Sequence, residues 1–124
     1  MASFMIKVES FKASRDTEVT VNYYYTGLGT EHFKYRIVFE FLSCEVHYDL
    51  FGHCEIFPMV DHYEPSEIAL WYPDVLEDIE NYFNTNKIKL FDNLIKSINR
   101  QCECLNNEIK YLKSEIDNKN DYID

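Results

Sequence analysis

Nine apolar residues near the C-terminus recur at alternating steps of three and four: Ile88, Phe91, Ile95, Ile98, Cys102, Leu105, Ile109, Leu112 and Ile116. This spacing keeps one stripe in line on a helix and predicts a coiled-coil-like helix over residues 86–118. Ile88, Ile95, Cys102, Ile109 and Ile116 take the a positions, and Phe91, Ile98, Leu105 and Leu112 the d positions. Mostly isoleucine at a, with leucine at two d positions, favours a parallel pair of helices. The flanking charges agree, because Lys87 at g faces Asp92 at e of a partner, and Glu108 faces Lys113. At about 1.5 Å per residue such a helix is roughly 50 Å long, more than a small domain covers. Leu90 and Leu94 widen the stripe early, which suits packing on the chain's own sheet. Beyond Ile98 it narrows to a and d, with Glu103, Asn106, Asn107 and Lys110 outside it. The expected self-association residues are therefore Ile95, Ile98, Cys102, Leu105, Ile109, Leu112 and Ile116. The competing expectation is packing of the whole helix within one chain. In parallel register Cys102 meets its own copy, a geometry that permits an interchain disulfide under oxidation.

The first half alternates with period two instead. Phe4, Ile6 and Val8 make one strand, and Val19, Val21, Tyr23 and Tyr25 a second. Phe33, Tyr35, Ile37, Phe39 and Phe41 make a third, rich in residues that fit a pleated surface. Cys44 to Leu50 and His53 to Phe57 give two more, separated by Phe51-Gly52 and stopped by Pro58. Short connections between consecutive strands favour an antiparallel meander. Pro73 then opens a short amphipathic helix through Phe83, with Asp74, Glu77 and Asp78 at its positive end. Asn84-Thr85-Asn86 is expected to interrupt it and cap the next helix. The fold class is α+β: about five antiparallel strands, a short helix and a long C-terminal helix. The expected division is a domain over 1–85, the helix over 86–118 and a frayed polar tail over 119–124.

The 124 residues carry a net charge of −10, and all of it lies in one segment. Residues 1–43 and 86–124 each sum to zero. Residues 44–85 contain ten carboxylates and neither lysine nor arginine. Surfaces of ordinary domains mix both signs. Tyr63, Trp71 and Tyr72 run among these acids and offer contact anchors within a steering field. Glu64, Glu67, Trp71, Tyr72, Asp74, Glu77, Asp78 and Glu80 are the candidate partner-binding residues, and solubilisation alone is the plainer account of the same charge. Phosphates would be repelled by this segment, so direct nucleic-acid binding is not expected.

Cys44, His47, His53 and Cys54, with His62 nearby, are of zinc-ligating types. Residues three apart on a strand point to opposite faces, which argues against convergence and for small buried thiols beside histidines. Neither a nucleophile elbow nor a phosphate loop occurs. No cofactor is expected. The expected function is non-enzymatic: an acidic inhibitor that occludes a basic surface of a partner such as a nucleic-acid enzyme, self-associating through its last helix. In composition this is the type of viral or phage counter-defence proteins and of bacterial immunity proteins. The alternatives are an assembly protein or chaperone working through the coiled coil, and a small metal- or carboxylate-dependent enzyme. With neither a signal peptide nor a membrane span in view, and with its thiols unpaired, the chain is expected in the cytoplasm, that of the host cell if viral.

Overall fold

Alternation from Val19 to Tyr25 puts four large apolar side chains on one side of a strand, and all four are buried. The strand is β2 (Thr17–Thr26), second in a five-stranded antiparallel sheet in sequence order. Its neighbours are β1 (Ser3–Ala13) and β3 (Lys34–Phe41), followed by β4 (Cys44–Tyr48) and β5 (Cys54–Pro58). Two helices follow, α1 (Pro65–Trp71) and α2 (Pro73–Asp121). This α+β layout is seen in a computed structural model, which describes residues 3–59 and 63–121. Side chains at 105 and from 115 onward are outside that description, as are all of residues 122–124. The chain divides into two compact units, Met1–Phe91 and Asp92–Asp124.

In the first unit, the start of α2 lies on the inner face of the sheet and closes the core with aromatic rings. Phe39, fully buried, is met edge-on by Phe11, Tyr48, Tyr82 and Phe83, with centroids 5.7–6.4 Å away. Tyr82 stacks on Phe11 at 4.1 Å, and Phe83 on Tyr48 at 4.3 Å. Val75, Ile79, Phe83 and Leu90 are at most 1% exposed. They lie four or seven residues apart, the repeat of one helical face.

Two local features depart from the expected pattern. The register of β1 against β2 slips between Lys7 and Glu9, so Val8 bulges and the inward phase changes from Phe4 to Glu9, Phe11 and Ala13. Glu9 thereby reaches the core edge and accepts a hydrogen bond from the Tyr82 hydroxyl. Burial first, then Glu9, pushes that phenol up to about 12. The second departure corrects the expected break at Asn84–Asn86: α2 runs unbroken from Pro73 to Asp121. Asn86 Nδ2 donates to the Tyr82 carbonyl at 2.9 Å, one turn back, so the amide works along the helix instead of capping a new one. The short helix that precedes the long one is α1, started by Pro65 at its first turn and anchored by buried Ile68. Among the described residues no helix is long and apolar enough to cross a membrane.

Candidate functional site: an acidic surface with exposed anchors

The acidic surface is organised by the junction of α1 and α2. Tyr72 closes α1 by donating its backbone N–H to Ile68, and its own carbonyl accepts from Leu76 in the first turn of α2. α1 presents Leu70 and Trp71 outward, 76% and 43% exposed. Tyr63, also exposed, meets the Trp71 ring edge-on at 5.1 Å. Glu64, Glu77 and Glu80 are exposed, and Glu67 is half-buried. An apolar anchor with carboxylates beside it is the arrangement that recognises a mixed basic and apolar surface.

Three candidate residues have other employment. Asp74 takes a two-pronged hydrogen bond from Arg15, at 2.6 and 2.9 Å. The same guanidinium donates to the Trp71 carbonyl at 3.0 Å and lies 4.7 Å above the Tyr72 ring. Asp78 accepts from the Ser14 backbone N–H at 2.7 Å and from its hydroxyl at 2.5 Å. The turn between β1 and β2 is thus clasped to the start of α2. Arg15 and Asp16 both have left-handed backbone, φ 57° and 55°, which costs about 1 kcal/mol or more per residue and needs such contacts to persist. Arg15, led by its side-chain hydrogen bond, holds the Asp74 carboxyl below the usual range. Asp74, Asp78 and Tyr72 therefore belong to the clasp; Glu64, Trp71, Glu77 and Glu80 are the candidates left exposed, Glu67 is half-buried, and Glu80 lies near Tyr48 and Cys54. Arg15 was not legible as part of this site because it lies 59 positions from Asp74. Nothing in the sequence singled it out, since Lys34, Arg36, Lys87 and Lys89 all lie nearer to Asp74 along the chain.

The cysteines and histidines do not converge. Cys44 is buried on the inner face and His47 points from the outer one, as alternation requires. His53 sits in the turn, its Nδ1 3.2 Å from Asp49, whose carboxylate also accepts from the backbone N–H groups of Phe51 and His53. Slight burial raises the Asp49 pKa, but these donors outweigh it and hold the carboxyl low. Burial, then Glu45 and Cys54, pushes the Cys44 thiol up to about 11, and burial also raises Cys54. Thiols so placed resist forming the thiolate that zinc or a nucleophilic reaction needs. Among the described residues no group of three or more His, Cys, Asp or Glu is placed to hold a metal ion. His62 and Asp61 lie outside the described residues.

The second unit carries the proposed seam on one unbroken helix. Ile95, Ile109 and Leu112 are 44%, 54% and 56% exposed, Cys102 is half-buried, and Ile98 is 7% exposed. Leu105 and Ile116 are among the residues whose side chains are not described. Comparison with known proteins finds no match to a family model, to a curated protein or to a solved structure.

Proposed function

We propose that this chain is a non-enzymatic binding protein whose acidic surface covers a basic surface of a partner protein, and that two copies associate through the distal part of α2. The carrying observation is the exposure of Leu70 and Trp71 within a segment whose exposed carboxylates include Glu64, Glu77 and Glu80, with Arg15 already committed to Asp74. Exposed Tyr63 and Trp71 pack on each other next to exposed Leu70, and a docking face uses such a cluster as anchors, whereas singly scattered apolar residues carry no such meaning. Carboxylates supply steering and register, and a basic groove that normally holds phosphates is the complementary surface. Occluding it makes the protein an inhibitor of the counter-defence or immunity type, acting in the cytoplasm where its partner works. Pairing of the distal helices doubles the valency of that surface.

The test uses a synthetic peptide of alternating lysine, arginine and leucine as the basic probe, with a glutamate-for-lysine version as control. Affinity for the basic peptide is expected to fall steeply between about 50 and 300 mM salt, because exposed charges are screened over about a Debye length. The triple variant Glu67→Lys, Glu77→Lys, Glu80→Lys leaves the clasp intact and is expected to abolish binding. Retained affinity in that variant, or equal affinity for the acidic control, rejects the proposal.

A further inference from the structure

The outer face of the sheet holds a cleft that neither the acidic surface nor the helix seam uses. In the first unit α1 and the start of α2 pack on the inner face, yet three outer residues are buried: Asn22 at 4%, Val38 at 0% and His47 at 9% exposure. Of these, His47 lines a cavity of about 450 Å³, with Tyr24, Lys34, Arg36, Glu45 and Phe57 around it. Its walls are rings, with Phe57 4.6 Å and Tyr24 5.9 Å from the His47 ring, both near edge-on. Strand register gives the cleft a direction. Lys34 pairs across from Thr26 and Arg36 across from Tyr24 at one end, whereas Glu45 pairs across from Phe57 at the other. Arg36 lies 3.9 Å from Glu55, too long for a hydrogen bond, and Asp49 lines the same small hollow as this pair, so the guanidinium keeps donors for a ligand in the larger cleft. Glu45 Oε1 lies 3.0 Å from His47 Nε2, which fixes the carboxylate at the floor. His47 Nδ1 is buried with no hydrogen-bond partner among the described residues.

Two cations at one end, aromatic walls in the middle and an oriented carboxylate at the other end match one ligand chemistry. We propose that this cleft binds a nucleoside monophosphate whose base carries an exocyclic amine. The phosphate sits between Lys34 and Arg36, where a guanidinium offers paired donors to phosphate oxygens. The base lies among Tyr24, His47 and Phe57, as bases do on aromatic side chains. Its amine donates to Glu45, an acceptor-only group when ionised. The span fits: from Arg36 to Glu40, the residue paired with Glu45, is four residues along β3, about 13 Å at 3.3 Å per residue, and the Arg36 and Glu45 side chains line the one cavity between them. The volume falls in the range of small-ligand sites, about 300–1,000 Å³. A polynucleotide is a poorer occupant, because its next phosphates would meet the carboxylates of Glu45 and Glu40.

Calorimetric titration of the full chain with adenosine 5′-monophosphate, uridine 5′-monophosphate, adenosine and inorganic phosphate tests this. Adenosine monophosphate is expected to bind roughly tenfold or more tightly than each of the other three, one strong charged or oriented contact being worth about that factor. Arg36→Gln is expected to weaken both nucleotides roughly tenfold, and Glu45→Gln to erase the preference for adenine over uracil while nucleotide binding persists. Circular dichroism checks each fold, and Lys34→Gln replaces Arg36→Gln should the latter fail it. Absence of nucleotide binding at millimolar concentration, phosphate binding as tightly as the nucleotide, or unchanged affinities in well-folded variants would each overturn the proposal.

Discussion

Residues 73–91 and 92–121 are two stretches of one unbroken helix, yet most of their apolar side chains meet different fates. In the first, Val75, Ile79, Phe83 and Leu90 are essentially without exposure, and Ile88, an a-position residue, is 86% exposed. In the second, Leu94 and Ile98 are still buried, and only from there on does the stripe open, with Ile109 and Leu112 about half exposed as Ile95 is. The sheet selects a broad face that runs through Leu90 and Phe91 and passes over Ile88. A heptad pattern states which residues can share a stripe. The shape of the partner decides which stripe is used.

The largest expected effects test that division. Phe83→Ala removes a ring packed on Phe39, Tyr48 and Phe91, and chemical denaturation should show a loss of about 3–5 kcal/mol. Leu90→Ala should cost about 2–5 kcal/mol, whereas Ile88→Ala, two residues away, should stay within about 0.5 kcal/mol. Equal effects at 88 and 90 would break the comparison, since the a/d stripe would then be the buried one.

A smaller effect sharpens the other half. In a parallel pair Glu108 faces Lys113 of the second copy, so Glu108→Lys should weaken association by about 0.2–1 kcal/mol. Adding Lys113→Glu should restore it, as sedimentation at several concentrations would show. The smallest effect lies in the clasp. Asp74 has its pKa lowered in the folded state, so its link to Arg15 stabilises the fold at pH above the ordinary carboxylate value and fades as pH falls through the depressed one. Arg15→Gln should therefore lower the melting temperature at pH 7, and its difference from the parent should shrink from about pH 4 downward.

Strand alternation was legible wherever one face is buried and the register unbroken. Val19 to Tyr25 and Tyr35 to Phe41 needed only a period of two. The bulge at Val8 was not, because a slipped register shows in sequence only as a change of apolar phase, here with Glu9 taking an inward place. The supposed break at Asn84–Asn86 misled because asparagine favours caps by bonding local backbone, and the same amide bonds a carbonyl one turn back when both flanks are packed. The acidic segment was plain from composition, but its division into clasp and open surface depends on Arg15 arriving from another strand turn. The outer cleft was hidden for a similar reason. Tyr24, Arg36, Glu45 and Phe57 come from four strands, and only pairing brings them side by side.

We propose above that the distal helix is covered by a second copy of this chain. Multi-angle light scattering on the reduced protein, over a concentration series, measures it directly. The expected mass is twice the 14.9 kDa chain, falling to the single-chain value when Ile109→Asp and Leu112→Asp are combined. A parent protein that stays at 14.9 kDa across the series would contradict it.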